Sequence, residues 1–287
     1  MLLTDTHTHL YASEFDADRT QVVESAIASG VKKFFLPNID STSIEGMLAL
    51  CNRFPENCFP MMGLHPTSVK ENYEEELAVV RKYLEEHSPL QKTPSDSRLQ
   101  LEKVPEGRMR LRGVRGEAIK FYAVGEIGID LYWDKTFFTQ QQLAFETQIK
   151  WANDFSLPII IHSRNSFNEI VEVLQKNKKE NPHGIFHCFS GSKEQADKAI
   201  ALGFKLGIGG VLTYKNSGLA QAIADIDMKH LVLETDSPYL TPVPHRGKRN
   251  ESGYITLVAQ KLAEIKNISV EEVAEITTAN AIEVFGV

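Results

Sequence analysis

The sequence is short of cysteine, of net positive charge and of long apolar runs. Its three cysteines, Cys51, Cys58 and Cys188, form an odd and sparse set. A disulfide framework is thereby excluded as the organising principle, and a reduced, cytoplasmic location is the simplest expectation. No apolar stretch reaches the roughly 20 residues of a membrane-spanning helix. The opening Met1-Leu2-Leu3-Thr4-Asp5 lacks a basic region followed by an apolar one, so neither a membrane partner nor a signal peptide is expected. The formal net charge of −7 argues against a protein that simply coats nucleic acid. It leaves room for an enzyme acting on phosphodiesters, because bound cations supply their own positive field.

What is present fits a folded enzyme. A chain of 287 residues, 42% hydrophobic and 24% charged, can bury a large core without covalent staples. Short apolar runs read as strands at Leu2–His7, Lys33–Pro37, Phe59–Leu64, Phe121–Ile127, Pro158–His162, Gly184–His187, Phe204–Ile208 and Leu231–Thr235. Runs such as Ile159-Ile160-Ile161 are continuous, as in parallel strands buried on both faces. Amphipathic segments lie between them, among them Asp18–Ser29, Glu75–Glu86, Gln140–Asp154, Asn168–Lys178 and Glu194–Leu202. Tyr254–Ile265 and Val270–Val284 follow the last strand, with Ser269 as N-cap and Glu272 three residues on. Eight βα units in series predict an α/β fold, a (β/α)8 TIM barrel forming one domain over 1–287. A doubly wound open sheet is the structural alternative.

One stretch interrupts the rhythm. His87–Ala118 collects Pro89, Pro94, Pro105, Gly107, Gly113 and Gly116 before the fourth strand. Alternation around Pro105-Glu106-Gly107 reads as an inserted hairpin or loop. Arg108, Arg110 and Arg112 would share one hairpin face, where they could track a phosphate backbone, a surface hairpin or an oligomer contact being the plainer reading.

The chemistry gathers at strand ends. His7 and His9 stand at i and i+2, so on an extended strand both imidazoles point the same way. Glu126, His162, His187 and Asp236 close the fourth, fifth, sixth and eighth strands. Barrel active sites lie at this C-terminal face, and imidazole with carboxylate suits divalent metals. Any one of these residues has a bland reading as a satisfied core group. Polar ligand types ending five of eight strands are hard to explain as packing. His65 and Arg164 lie close by and Arg246 follows the eighth strand, which makes all three candidates for substrate phosphate. Asp5 and Asp130 either orient a ligand or cap backbone amides.

Six segments carry a resemblance. Asp5-Thr6-His7-Thr8-His9-Leu10, Gly63-Leu64-His65-Pro66, Gly125-Glu126-Ile127-Gly128-Ile129-Asp130, Pro158 to Arg164, His187-Cys188-Phe189-Ser190-Gly191 and Glu234 to Leu240 together resemble the successive signatures of the TatD family of metal-dependent deoxyribonucleases, amidohydrolase-like barrels. The resemblance implies two divalent cations (Mg, Mn or Zn). His7, His9, Glu126 and Asp236 would hold one, and Glu126, His162 and His187 the other, with Glu126 bridging. It implies phosphodiester hydrolysis by a two-metal hydroxide mechanism, with DNA as substrate and Asp236 as ligand or as general base. One departure is visible: where the family continues Glu-Pro, this chain has Glu251-Ser252. An ester or amide hydrolase such as a D-aminoacyl-tRNA deacylase is the alternative on the same site, and a non-catalytic metal-binding partner protein the alternative of another class.

Overall fold

The computed structural model describes residues 1–87 and 119–287. The hairpin expected around Pro105–Gly107 lies outside the described residues.

Strand and helix alternate along the chain. The strands are β1 (Leu3–Asp5), β2 (Val31–Pro37), β3 (Cys58–Met61), β4 (Val124–Asp130), β5 (Ile159–Arg164), β6 (Gly184–Phe186), β7 (Phe204–Ile208) and β8 (Leu231–Leu233). The helices are α1 (Arg19–Ala28), α2 (Ile44–Arg53), α3 (Tyr73–His87), α4 (Phe138–Phe155), α5 (Phe167–Lys176), α6 (Lys193–Ala201), α7 (Leu219–Ile223), α8 (Ile255–Lys266) and α9 (Val270–Phe285). Among the described residues every strand pairing is parallel, within two ladders, β1-β2-β3 and β4-β5-β6-β7-β8.

Backbone hydrogen bonds join the ladders at two seams and close the barrel. Between β3 and β4, Tyr122 N donates to Pro60 O, Met62 N to Ala123 O and Gly125 N to Met62 O, at 3.0–3.1 Å. Between β8 and β1, Thr6 N donates to Leu233 O at 3.0 Å and Asp236 N to His7 O at 2.9 Å. Among the described residues closure leaves no strand of the barrel with an unpaired edge.

Period two sorts the strand side chains. Ile159 and Ile161 belong to the layer under the helices, while Ile160 joins Phe35, Met61, Ala123, Ile185 and Val232 in a separate inner cluster. Phe285, the last residue of α9, stacks on Phe35 at 3.7 Å and seals this inner core from below. Helix α9 begins with the expected capping box: Glu272 N donates to Ser269 Oγ and Ser269 N to the Glu272 carboxylate. It ends at Gly286, whose φ of 74° suits the left-handed position after a helix.

Boundaries differ from those read in the sequence where pairing continues past the apolar run. Strand β4 runs on to Asp130 because Ile129 and Asp130 pair with Ser163 and Arg164 of β5. Glu126 therefore sits mid-strand rather than near the end. Strand β8 stops at Leu233, and the chain enters the left-handed region at Asp236 with φ of 56°. Among the described residues no helix is long and apolar enough to cross a membrane.

Candidate metal centre

Glu126 stands at the middle of the barrel mouth, 2% exposed, with its two carboxylate oxygens facing different neighbours. Oε1 lies 2.8 Å from His162 Nδ1, 2.9 Å from His187 Nε2 and 3.2 Å from His65 Nε2. Oε2 lies 3.1 Å from His7 Nε2 and 3.7 Å from His9 Nε2. Asp236 Oδ1 completes the second side, 3.5 Å from His9 Nε2 and 3.8 Å from His7 Nε2. The structure thus brings all six expected donors together around one carboxylate, and sets His65 among them.

Three sets of donor atoms fall within 4.8 Å of one another: His7, Glu126 and His187; His7, His9 and Asp236; His65, Glu126 and His162. His7 and His9 lie just past the three-residue β1, yet their rings converge, 5.1 Å apart, as an extended i, i+2 pair should. His65, read from the sequence as a phosphate contact, has two roles here. Its Nδ1 accepts the Thr67 backbone N–H, capping the turn at Pro66–Ser68, and its Nε2 reaches Glu126.

Outer groups hold the rings. Asp130 Oδ2 lies 2.8 Å from His162 Nε2, and its Oδ1 accepts the backbone N–H groups of Tyr132 and Trp133. Both sequence readings of Asp130 thus apply. Asp5 does only the capping. Its carboxylate accepts Thr235 N at 2.9 Å and Thr235 Oγ1 at 2.6 Å, and meets His7 through the backbone N–H rather than the ring.

Glu234 was not singled out in the sequence. It is fully buried, accepts the Cys188 N–H at 2.6 Å and lies 3.4 Å from His187 Nδ1. Gly207 makes room for it: a Cβ there would stand 2.1 Å from Glu234 Oε2. The only sequence signal was a carboxylate at i−2 from Asp236, directly after an apolar strand.

The electrostatics follow. Burial alone would raise Glu126, but the imidazoles of His187, His65 and His7 outweigh it and hold the carboxyl well below its usual range. Burial also opposes charge on His187, yet Glu126 and Glu234 raise it well above an ordinary imidazole. His7 and His65 are lowered by burial first, which favours their neutral forms; His7 keeps a lone pair for a ligand, whereas that of His65 Nδ1 is taken by the Thr67 N–H. Asp130 is pulled down to about 2, with burial outweighed by the hydrogen bonds of His162 and the Trp133 and Tyr132 amides. Asp5 moves the other way, to about 7, because burial outweighs its hydrogen bonds to Thr235 and Ser252.

The donor set fits divalent cations. His162 is flanked by Asp130 at Nε2 and Glu126 at Nδ1, each 2.8 Å away, and burial is outweighed by these two hydrogen bonds, which raise it above an ordinary imidazole. A cation beside Glu126 would take the place of the proton between Nδ1 and Oε1 and leave the Nε2 proton with Asp130. A mixture of imidazole and carboxylate donors is the usual environment for Zn, Mn or Fe.

The cationic candidates occupy the rim. The Arg164 guanidinium stacks 3.9 Å over Tyr132 and lies 5.3 Å from the ring of Trp133, itself 69% exposed. Arg246 stacks 4.1 Å over Tyr214. Both heads are exposed and free of carboxylate partners among the described residues. Arg249, by contrast, is held by Asp18 and Glu251 at 2.8–2.9 Å, so it fastens its loop to α1. Burial raises the Cys188 thiol far above its ordinary value, and the carboxylates of Asp236, Glu234 and Glu126 add to the shift, which keeps it an unreactive packing group.

Comparison with known proteins is consistent over the whole chain. Residues 4–286 match the family described as TatD related DNase. YabD of Bacillus subtilis, an uncharacterized metal-dependent hydrolase, is 34% identical over 99% of both chains. YcfH of Escherichia coli K12, likewise an uncharacterized metal-dependent hydrolase, is 30% identical over 99% of this chain and 96% of its own. The crystal structure of YjjV, a TatD homologue from Escherichia coli K12, is similar with a TM-score of 0.83 and 28% identity, covering 99% of this chain and 98% of that one.

Proposed function

Because the chain belongs to the TatD-related DNase family of metal-dependent hydrolases, we propose that it cleaves phosphodiester bonds in DNA with two divalent cations (Mg, Mn or Zn) sharing Glu126. The observation that carries this reading is the division of labour within one carboxylate. Oε1 meets His162, His187 and His65, whereas Oε2 meets His7 and His9, with Asp236 beyond them. A carboxylate split between two donor sets suits a pair of ions roughly 3.5–4 Å apart.

When bound, such cations supply the field that turns water into a nucleophile near neutral pH and neutralises charge gathering on the phosphoryl oxygens. The chain's own groups do the rest. His7, His9 and Asp236 would hold one ion and His162 and His187 the other, while the Nε2–H of His65 stays directed at Glu126 Oε1. Asp130 keeps the proton on His162 Nε2, so that Nδ1 stays free to donate its lone pair. Asp236, its side chain 13% exposed against 3% for Glu126, is the more open of the two carboxylate donors and would be the one to take a proton from water. Arg164 and Arg246 hold planar guanidinium groups ready for phosphate oxygens on two sides of the mouth.

Metal-dependent cleavage of end-labelled single- and double-stranded DNA tests the reading, run beside an aminoacyl ester. Cleavage of DNA that is lost on chelation and restored by Mg, Mn or Zn supports it. Turnover of the ester alone would transfer the same centre to deacylation. Metal binding without any turnover would leave a non-catalytic partner protein.

A further inference from the structure

Beside the centre, the β5–α5 and β6–α6 loops enclose a cleft of about 360 Å³, with His187 forming part of its wall. That volume is at the lower end for small-molecule sites, roughly 300–1,000 Å³. The walls are polar but nearly uncharged: hydroxyls of Ser163 and Ser190, and amides of Asn165, Asn168 and Gln195. The rings of Phe167 and Phe189 add flat apolar surface. Among the described residues no lysine or arginine lines the cleft, and its ionisable side chains besides Cys188 are Glu169 and the His187 imidazole. A neutral ring bearing both donors and acceptors would be satisfied, since hydroxyls and amides can each donate and accept.

Two details keep the space open and its polar groups set. A Cβ on Gly191 would lie 2.4 Å from the Gln195 side-chain oxygen and 3.0 Å from the Phe189 ring, so the bare backbone there holds the wall back. That same Gln195 oxygen accepts the Ser192 N–H at 3.0 Å in the capping box of α6, which fixes the amide plane. His187 separates the cleft from the centre by one imidazole, with Nε2 2.9 Å from Glu126 Oε1. A group one sugar away from a reacting phosphate would fall here.

We propose that this cleft receives the nucleobase of the nucleotide adjoining the cleaved phosphate, a subsite that rests on the phosphodiesterase reading. The base edge meets the amides of Asn168 and Gln195, and its face lies against phenylalanine. Charge is handled elsewhere, by the cations and by the rim arginines. The cleft therefore discriminates by the base and not by the backbone.

The test is equilibrium binding of thymidine and 2′-deoxyadenosine to the metal-loaded protein, with deoxyribose 5-phosphate as the ligand lacking a base. Asn168→Leu and Gln195→Leu are the variants. Asn168 is exposed in the first turn of α5, so its replacement is expected to leave the fold intact. Each variant should weaken nucleoside binding about tenfold, the equivalent of one lost hydrogen bond to a desolvated group. Binding of deoxyribose 5-phosphate should not change. Equal nucleoside affinity in the wild type and both variants, or no nucleoside binding at all, overturns the subsite. If oligonucleotides are nevertheless cleaved, the phosphodiesterase reading survives that result. Nucleoside binding that depends on Asn168 and Gln195 in a protein that leaves phosphodiesters intact would do the reverse.

Discussion

The two ends of this barrel are made by the same strands and obey opposite rules. At the base, Phe35, Phe59, Ile160, Ile185, Val232 and Phe285 form an apolar plug, with Phe35 between the rings of Phe59 and Phe285 at 5.2 and 3.7 Å. At the mouth, the barrel buries His7, His65, Glu126, His187 and Glu234, each less than 9% exposed. Burying apolar surface stabilises a fold, whereas burying ionisable groups costs free energy unless partners compensate. One end therefore carries stability and the other carries chemistry, the division expected of barrels.

Substitutions at the two ends should separate these duties. The largest effect is expected at Glu126→Gln: turnover falls by at least about a thousandfold as both donor sets lose their shared oxygen charge. Bound metal, measured by elemental analysis, should fall with it while the metal-free melting temperature changes little. Wild-type turnover with full metal content would end the bridging role. At the opposite end, Phe35→Ala should cost roughly 3–5 kcal/mol in denaturant unfolding through the cavity it leaves. Its remaining folded protein should keep normal turnover per molecule. A Phe35→Ala protein of normal stability but poor turnover would collapse the contrast between the ends.

Finer substitutions sharpen the contrast. Glu234→Gln keeps the shape but removes the charge opposite His187, and should lower metal affinity or turnover about 10- to 100-fold. Metal titration of the variant distinguishes this from a packing role, which would lower the melting temperature alone. Adding cation to the metal-free wild type should raise its stability by about 2.7 kcal/mol at a hundredfold excess over the dissociation constant. Glu126→Gln should lose most of that gain, and an equal rise in both proteins would place the ions elsewhere. The smallest effect belongs to a site remote from both ends. Ser269→Ala removes the capping box of α9 and should cost about 1 kcal/mol with turnover unchanged.

How much of this could be read beforehand depended on whether the signal was local. Ile159-Ile160-Ile161 announces a buried parallel strand by itself, and His7 and His9 announce a shared direction by their spacing. Helix α2 was not among the helices read, because Gly46 interrupts its pattern, and the five-residue α7 is too short for periodicity to register. Glu126 was found, but its mid-strand position was not, since β4 is extended by pairing with β5, a long-range fact. Glu234 and the inward turn of His65 were missed for the same reason. Each is defined by a partner more than 45 positions away, Cys188 for one and Glu126 for the other. A strand-end carboxylate looks alike whether it faces a ligand or a backbone amide.

His7, His9 and His65 belong to the β1–β3 arc, and Glu126, His162, His187 and Asp236 to the β4–β8 arc. Ions held at Glu126 would therefore clasp the two arcs across both joins, where Gly125 N meets Met62 O and Asp236 N meets His7 O. Barrel opening and ion release would then be one event, linked by mass action. Amide hydrogens at the joins should then exchange with solvent more slowly as the free cation concentration rises, so that the barrel's breathing becomes a gauge of the metal around it.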